Sequence, residues 1–269
     1  MSHAVIFVHG IGSQGPHSSR GFEHALRRTL HNMGGPGPAL SQSLLWEEAY
    51  WASVTQPEQE DLSGRISFGG AARRFMIEAL GDVVAYAKLP YPPDKYTAIQ
   101  TRFTEAVQRL AQRADSGGPL KLTVVSHSLG TVIASDALYD LQKRGGYPPN
   151  ICLENLFTLG SPLALFALRY GTLAFNRPVR PARWENYYYA YDSIGYPLRT
   201  LNDAYAAAVT RDVALSPMQA WTAPKGMLLT ATARLPVLGS VIGLRLHSRY
   251  FHDPRVLRPI AQAIAKTGG

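Results

Sequence analysis

A serine with a glycine two residues later directly follows an apolar run, in the segment VVSHSLG at positions 124–130. The apolar run predicts a buried strand, and the residues after it predict a helix. A serine at such a sharp strand-to-helix turn exposes its hydroxyl, while Gly130 allows the two backbones to approach closely. We therefore predict Ser128 as a nucleophile, although Ser126 stands in place of the first glycine of the usual G-x-S-x-G motif. In the alternative interpretation, Ser128 only caps the helix.

A nucleophilic serine needs a base that takes its proton and an acid that orients this base. In proteins with such a turn, the acid and then the base follow the serine along the chain. Asp192 comes directly after the aromatic segment WENYYYAY at 184–191, so we predict it as the acid, at the carboxyl end of a strand. Its competitors, Asp203 and Asp212, lie in segments that we interpret as helical or mixed polar.

Two histidines, His247 and His252, lie downstream of this acid. His252 adjoins Asp253-Pro254, a pattern that predicts the start of the last helix, so a local hydrogen bond is an easy role for it. We therefore predict His247 as the base.

The glycine-rich segment AVIFVHGIGSQG at 4–15 allows two interpretations. In the first, N–H groups of Gly10 and Ile11, together with that of Leu129, bind the negative charge of a reaction intermediate. In the second, Gly10, Gly12 and Gly15 form the G-x-G-x-x-G loop of a dinucleotide-binding oxidoreductase. That loop requires an acid about 20 residues further on, and the segment HNMGGPGP at 31–38 has none, so we favour the first interpretation.

Four further residues are predicted to shape the substrate site. Ser161 follows a strand in TLGSPL, but it cannot be the nucleophile because Pro162 has no N–H to offer the oxyanion, so we place it in the wall of the site. The other three are His9, which we expect to brace its loop, His127 and Tyr250.

Five segments together resemble the α/β-hydrolase superfamily of serine esterases and lipases: VHGIG, VVSHSLGTVIA, TLGSPL, YDSIGYPL and HSRYFHDPRV. Within it, the chain is similar to the lipase-like group that includes bacterial serine esterases and GPI inositol-deacylase-like proteins. The resemblance implies Ser128 as nucleophile, Asp192 as acid and His247 as base, with Tyr250 three residues later. It also implies that no metal or organic cofactor is needed, and that the first strand here corresponds to the superfamily's third.

Short apolar runs alternate with amphipathic segments, which predicts an α/β fold with a mostly parallel sheet of about six strands flanked by helices. We predict strands at 4–8, 44–51, 120–126, 154–160, 184–191 and 227–232. Helices are predicted at 96–114 and from Pro254. The whole chain, 1–269, is interpreted as one domain with a helical insertion at 52–95. Within it, residues 70–88 carry an apolar stripe that includes Val83 but not Asp82, which suggests a packed helix or a lid over the site.

Composition limits the possible partners. The net charge of +8 favours anionic surfaces, such as peripheral contact with an anionic membrane, but the basic residues form no runs, so nucleic acid is not expected. Cys152 is the single cysteine and is predicted to be an inert core thiol. A first strand that begins near residue 4 leaves no room for a secretory leader, and the apolar segment 227–244 is interrupted by charge, proline and glycine. We therefore expect a cytoplasmic location.

The predicted function is hydrolysis of carboxylic esters, with apolar acyl or lipid-like groups, through an acyl-enzyme intermediate. The apolar segments 70–89 and 227–244 motivate this substrate preference. The alternatives are the oxidoreductase considered above and a protein that has the fold but binds without chemistry.

Overall fold

The computed structural model describes residues 2–11, 15–65, 82–83, 85–86, 95–114, 118–169, 171–216 and 247–266. Within these residues, six strands form one sheet: β1 (His3–Val8), β2 (Leu45–Glu48), β3 (Leu120–His127), β4 (Ile151–Leu159), β5 (Arg183–Tyr189) and β6 (Arg211–Leu215). The strands lie in the order β2-β1-β3-β4-β5-β6, and every neighbouring pair is parallel. The predicted α/β class with a parallel sheet of about six strands is confirmed.

The α-helices of the described residues are α1 (Arg20–His31), α2 (Gly37–Ser43), α3 (Gln56–Arg65), α4 (Lys95–Arg113), α5 (Leu129–Arg144), α6 (Leu163–Phe166), α7 (Asp203–Ala208) and α8 (Pro254–Lys266). Short 3-10 turns cover Ala52–Val54, Ala167–Arg169 and Arg249–His252. Among these helices, none is long and apolar enough to cross a bilayer.

Both faces of the sheet are covered, which is why β1 is a continuous apolar run with every residue buried. Successive side chains of a strand point to opposite faces. Ile6 and Val8 accordingly pack with α4 and α5, whereas Val5 and Phe7 pack with α1 and α8. The amphipathic face predicted for α4, with Ile99, Phe103, Val107 and Leu110, is buried as expected.

The strand order places a crevice above the junction of β1 and β3. The chain leaves β1 toward β2 on one side and returns to β3 on the other, so the loops at the carboxyl ends of β1 and β3 diverge there. In open parallel sheets, ligands bind at such a switch point. The loop at Gly10 and the turn at Ser128 begin at these two strand ends.

Several local predictions differ from the structure. The predicted strand 227–232 lies outside the described residues, and the sixth described strand is β6, whose short, half-exposed segment RDVAL lacks a clear apolar pattern. Asp212, predicted in helical or mixed polar surroundings, lies on this strand, whose segment is of mixed polarity. Cys152 is exposed on β4 and not a core thiol, because residues 152–154, near the start of β4, are not buried.

The predicted insertion 52–95 contains α3 and the pair 82–83, and most of its apolar stripe lies outside the described residues. In the described part, the prediction of which side chains are buried is wrong for residues 82 and 83. Asp82 is 1% exposed and accepts a hydrogen bond from the Gln59 side chain at 2.7 Å, whereas Val83 is 40% exposed. The hydrogen bond between the two side chains compensates the burial of the carboxyl group, which apolar periodicity alone does not reveal.

Candidate active site

Ser128 occupies a strained turn between β3 and α5. Its backbone has φ 53° and ψ −131°, and His17 is the other non-glycine residue of the described chain with positive φ. The Ser128 N–H donates to the Leu159 carbonyl at 3.0 Å, and the Thr131 N–H donates to the Ser128 carbonyl at 2.9 Å. Its side chain makes no capping hydrogen bond. The capping role therefore does not explain this serine, and strain of this kind is typical of functional sites.

Two glycines allow the backbone to pack closely around this turn. A Cβ atom on Gly130 would lie 2.3 Å from the His9 carbonyl oxygen and 2.5 Å from that of Val8. A Cβ atom on Gly10 would lie 2.8 Å from the Ser128 Cβ. The start of α5 thus rests on the end of β1, and the loop after β1 contacts the serine turn.

Asp192 and His247 are both buried and lie in contact with each other. Asp192 follows β5, and His247 precedes α8. His247 Nδ1 lies 2.9 Å from Asp192 Oδ2 and 3.0 Å from Oδ1. The Tyr250 hydroxyl donates to Asp192 Oδ2 at 2.6 Å, and the Ile194 N–H donates to Oδ1 at 2.9 Å. Burial alone would raise the pKa of Asp192, but these hydrogen bonds outweigh it and hold the pKa below its ordinary value.

The carboxylate determines which nitrogen of His247 carries the proton. An ionised carboxylate can only accept, so Nδ1 donates to it, and in the neutral form of the ring the lone pair is on Nε2. Nε2 is buried and has no hydrogen-bond partner among the described residues. The ring also packs against His127, with centroids 4.6 Å apart. This arrangement leaves a basic nitrogen available for a proton.

Ser128 and His247 line the same cavity, of about 410 Å³, at the switch point of the sheet. The remaining lining residues of the described chain include three aromatic side chains and the loop after β1: Phe7, His9, Gly10, Ile11, Ser18, Gly21, Phe22, His127, Ser248, Phe251 and His252. Phe22 and Phe251 meet edge to face at 5.9 Å, so one side of the cavity is apolar. Ser128, His247 and the loop after β1 therefore surround one space that a small molecule can enter.

His9 braces the loop after β1. Because a carbonyl can only accept, its Nδ1–H donates to the Gly10 carbonyl at 2.8 Å, and Nε2 accepts from the Trp51 N–H at 3.3 Å. The ring stacks on Trp51 at 4.8 Å, and burial lowers the pKa of His9 to about 4. The neutral ring thereby fixes the Gly10–Ile11 peptide, whose Ile11 N–H points away from the bound carbonyl in a trans peptide.

His127 has a comparable role beside the base. Burial lowers its pKa to about 3, so the ring is neutral, and its Nε2–H donates to the His247 backbone carbonyl at 2.6 Å. His127 follows Ser126 at the end of β3, directly before Ser128. It therefore connects the serine turn to the segment that carries the base, as well as lining the cavity.

Two residues predicted to contact substrate do not line the cavity. Ser161 is fully buried, shares a 2.7 Å hydrogen bond with the Thr131 hydroxyl and accepts from the Leu163 N–H at 3.3 Å. Tyr250 is fully buried against Asp192 and accepts a hydrogen bond from the Tyr189 N–H at 3.0 Å. Ser161 was predicted from its position at a strand end, and Tyr250 from the resemblance, three residues after His247, but both hydroxyls are instead used inside the protein.

The competing candidates for the acid were Asp203 and Asp212, and the competing candidate for the base was His252. Asp212 accepts hydrogen bonds from the Leu198 and Arg199 N–H groups, so it fixes the loop that follows Asp192. Asp203 lies in the first turn of α7. His252 lines the cavity, but the contact with Asp192 is made by His247, while Asp253 caps α8 through the Arg255 N–H at 2.8 Å.

Gly160 and Gly195, which were not predicted as site residues, make room for Asp192. Gly160 has φ +58°, and a Cβ there would lie 3.0 Å from both Asp192 Oδ2 and His247 Cε1. A Cβ on Gly195 would lie 2.9 Å from the same carboxylate oxygen. The sequence contained a signal for each: Gly160 stands at the end of a predicted strand, and Gly195 lies in the loop that follows Asp192. Among the described residues, no group of His, Cys, Asp and Glu side chains has the arrangement of a metal site.

Comparison with known proteins gives a distant likeness. No family model matches the chain. The chain is 27% identical over 165 residues to a probable mitochondrial phospholipase of Saccharomyces cerevisiae. This match includes 55% of the chain and 22% of the yeast protein, so the chain spans only a small part of that relative.

Proposed function

We propose that the protein is a serine hydrolase that cleaves carboxylic esters of lipid-like molecules. The observation that carries the proposal is the environment of His247. Its Nδ1 is held by Asp192, its Nε2 has no partner in the described chain, and the ring lines the same cavity as Ser128. A neutral imidazole in this state is a general base for a serine hydroxyl.

In the first half of the reaction, the Ser128 hydroxyl attacks the ester carbonyl while His247 Nε2 takes its proton. The carbonyl oxygen becomes an oxyanion, which the N–H groups of Leu129 and of Gly10 or Ile11 stabilise by about 3 kcal/mol each in comparable enzymes. His247 then protonates the leaving alcohol, and an acyl group remains on Ser128.

In the second half, His247 removes a proton from water, which attacks the acyl group and releases the acid. The ionised Asp192 holds His247 in the tautomer that both halves require. The low pKa of Asp192 supports this role, because the carboxylate stays charged as the imidazole gains its proton.

Two observations support a lipid-like substrate. The cavity has an apolar side built from Phe7, Phe22 and Phe251, which suits an acyl chain better than a charged group. The yeast relative is named a probable phospholipase, which places lipid esters among the substrates to be tested.

The oxidoreductase interpretation has weaker support. Its fingerprint requires the glycines to open a helix, whereas α1 begins at Arg20, five residues after Gly15. Gly10 packs against Ser128 rather than leaving its backbone open for a pyrophosphate. Gly12 lies outside the described residues.

Labelling with a fluorophosphonate tests the proposal, because this reagent reacts with an activated serine and with little else. We expect a mass adduct on the peptide that contains Ser128 and hydrolysis of p-nitrophenyl esters. Ser128→Ala should abolish both, with a fall in kcat of about 10⁴-fold or more. Ser43→Ala, which changes an exposed serine in α2, is the matched control and should leave both unchanged.

The location of the adduct decides between nucleophiles, because Ser18 and Ser248 also line the cavity. An adduct on either of them would contradict the assignment of Ser128. A folded protein without any adduct or ester turnover would favour the interpretation that this fold only binds its ligand.

A further inference from the structure

Three leucines on one surface segment are unusually exposed. Leu165, Leu168 and Leu173 are 44%, 72% and 80% exposed, and the last two are the most exposed of the large apolar side chains in the described chain. They lie within nine residues, in α6 and the turns that follow it. Single exposed apolar residues are ordinary, but a group of them indicates contact with a partner. We call Leu165, Leu168 and Leu173 the leucine surface.

The segment that carries the leucine surface is firmly attached along its other side. Leu163, just before the exposed leucines, and Ala167, between two of them, are fully buried. Further along, Phe175 stacks on Tyr205 with ring centroids 5.4 Å apart. The Asn202 side-chain amide donates to the carbonyls of Thr172 and Phe175, at 2.7 and 2.9 Å. One face of the segment is thus packed and the opposite face is apolar and exposed, as in structures that lie on a membrane surface.

Charge identifies the kind of partner. No Asp or Glu occurs from residue 155 to residue 184, while Arg169, Arg177, Arg180 and Arg183 lie in this stretch. Arg177 and Arg180 are exposed. A second copy of this chain would bring together two surfaces of the same charge, whereas a bilayer with anionic headgroups offers both an apolar layer and negative charge.

We propose that the leucine surface, together with the exposed Arg177 and Arg180 further along the same segment, docks the protein onto a lipid bilayer that carries anionic headgroups. The segment follows the carboxyl end of β4, at the same edge of the sheet as Ser128 and Asp192. The inference goes beyond the proposed hydrolysis and does not depend on it, because docking requires none of the residues at the cavity.

Sedimentation with vesicles tests the docking. We expect the protein to bind vesicles of phosphatidylcholine with phosphatidylglycerol, and to bind phosphatidylcholine alone at least about tenfold more weakly. The double variant Leu168→Asp/Leu173→Asp should lose at least about tenfold in binding. Met33→Asp changes a 41% exposed side chain on the turn after α1 and should bind as the parent protein does. Binding is also measured with Ser128→Ala. Because this substitution is expected to abolish hydrolysis but leaves the leucine surface unchanged, a failure of the docking proposal can be distinguished from a failure of the proposed hydrolysis.

Charge is tested by Arg177→Ser/Arg180→Ser and by salt. We expect either change to weaken binding to the anionic vesicles by several-fold, because screened or absent charges attract the headgroups less. Circular dichroism and urea denaturation serve as the check that each variant, including Ser128→Ala, is folded, so this check does not depend on the proposed hydrolysis.

Three results would overturn the docking proposal. The first is a parent protein that does not bind anionic vesicles, and the second is a double leucine variant that binds as well as the parent. The third is equal binding to both vesicle compositions, which would remove the role of charge. A concentration-dependent dimer that the double leucine variant abolishes, without vesicle binding, would assign the surface to a second copy of the chain.

Discussion

The two halves of the candidate active site are built by different means. The half with Ser128, the proposed nucleophile, and the loop after β1 is the nucleophile half, and its close packing leaves no space for a Cβ atom at Gly10 or Gly130. The acid–base half, with Asp192 and His247, is held by side-chain hydrogen bonds to one carboxylate. The first half should therefore be sensitive to added volume, and the second to the loss of a donor or acceptor.

The halves also differ in charge. Asp192 is ionised at neutral pH, because its hydrogen bonds lower its pKa. The histidines around the serine turn, His9 and His127, are neutral because burial lowers their pKa values. A change of pH or of a charged group should therefore act on the two halves in different ways.

The largest effect is expected for Asp192→Asn. The amide has nearly the same shape as the carboxylate, but it favours the wrong tautomer of His247 and cannot stabilise the imidazolium. We expect kcat for a soluble ester to fall by about 10⁴-fold, while the free energy of unfolding changes by about 1–2 kcal/mol.

Asp203→Asn, which changes an exposed carboxylate in α7, is the control for this substitution and should keep full activity. If Asp192→Asn retained more than about a tenth of the parent kcat, the acid would have another identity or the chemistry would not use this pair.

Gly130→Ala tests the nucleophile half and should act mainly on stability. The new methyl group would meet the backbone oxygens of Val8 and His9, so β1 and α5 must separate. We expect a loss of about 3 kcal/mol in the free energy of unfolding, measured by urea denaturation. The sign of this change in stability is informative. Without such a clash, replacing glycine by alanine in a helix stabilises the helix by about 1 kcal/mol.

Gly21→Ala is a closely matched control. Gly21 is the second residue of α1, as Gly130 is of α5, but a Cβ there would meet no atom within 4 Å. It should stabilise the protein slightly, by roughly 0.5–1 kcal/mol. Equal effects of the two substitutions would mean that close packing does not distinguish the nucleophile half.

The difference between the halves also explains what the sequence could predict. The nucleophile half is continuous in sequence: VVSHSLG specifies a strand, a turn and a helix within seven residues, and Gly130 at its fixed spacing indicates close packing. The same local patterns predicted β1, β3, α4 and the start of α8. Local periodicity did not predict β6, because a short edge strand that is half exposed has no distinctive pattern.

The acid–base half depends on contacts between distant residues. His247 and Asp192 are 55 residues apart, and Tyr250 is 58 residues from Asp192. Chain order predicted which residue types follow the serine, but not that the Tyr250 hydroxyl is used on the carboxylate rather than on substrate. Nor could it predict Gly160, whose role becomes clear only when β4, the acid loop and His247 lie next to each other.

The smallest effect concerns the pH dependence of stability and tests the neutral histidines of the nucleophile half. In the unfolded chain a histidine has a pKa near 6.5, whereas burial lowers the pKa of His9 to about 4 and that of His127 to about 3. Between these values the unfolded state binds more protons. The stabilisation is therefore complete above pH 6.5 and is lost as the pH falls toward 4, by at most about 1.4 kcal/mol per pH unit for each histidine.

Urea denaturation between pH 7 and pH 5 measures this slope. His9→Gln removes one of the two titrating groups and should make the dependence on pH shallower by up to about 1.4 kcal/mol per unit. His24→Gln makes the same substitution at an exposed position of α1 and provides the comparison. An unchanged slope in His9→Gln would mean that His9 gains protons equally in both states, and the contrast between a neutral nucleophile half and a charged acid–base half would fail.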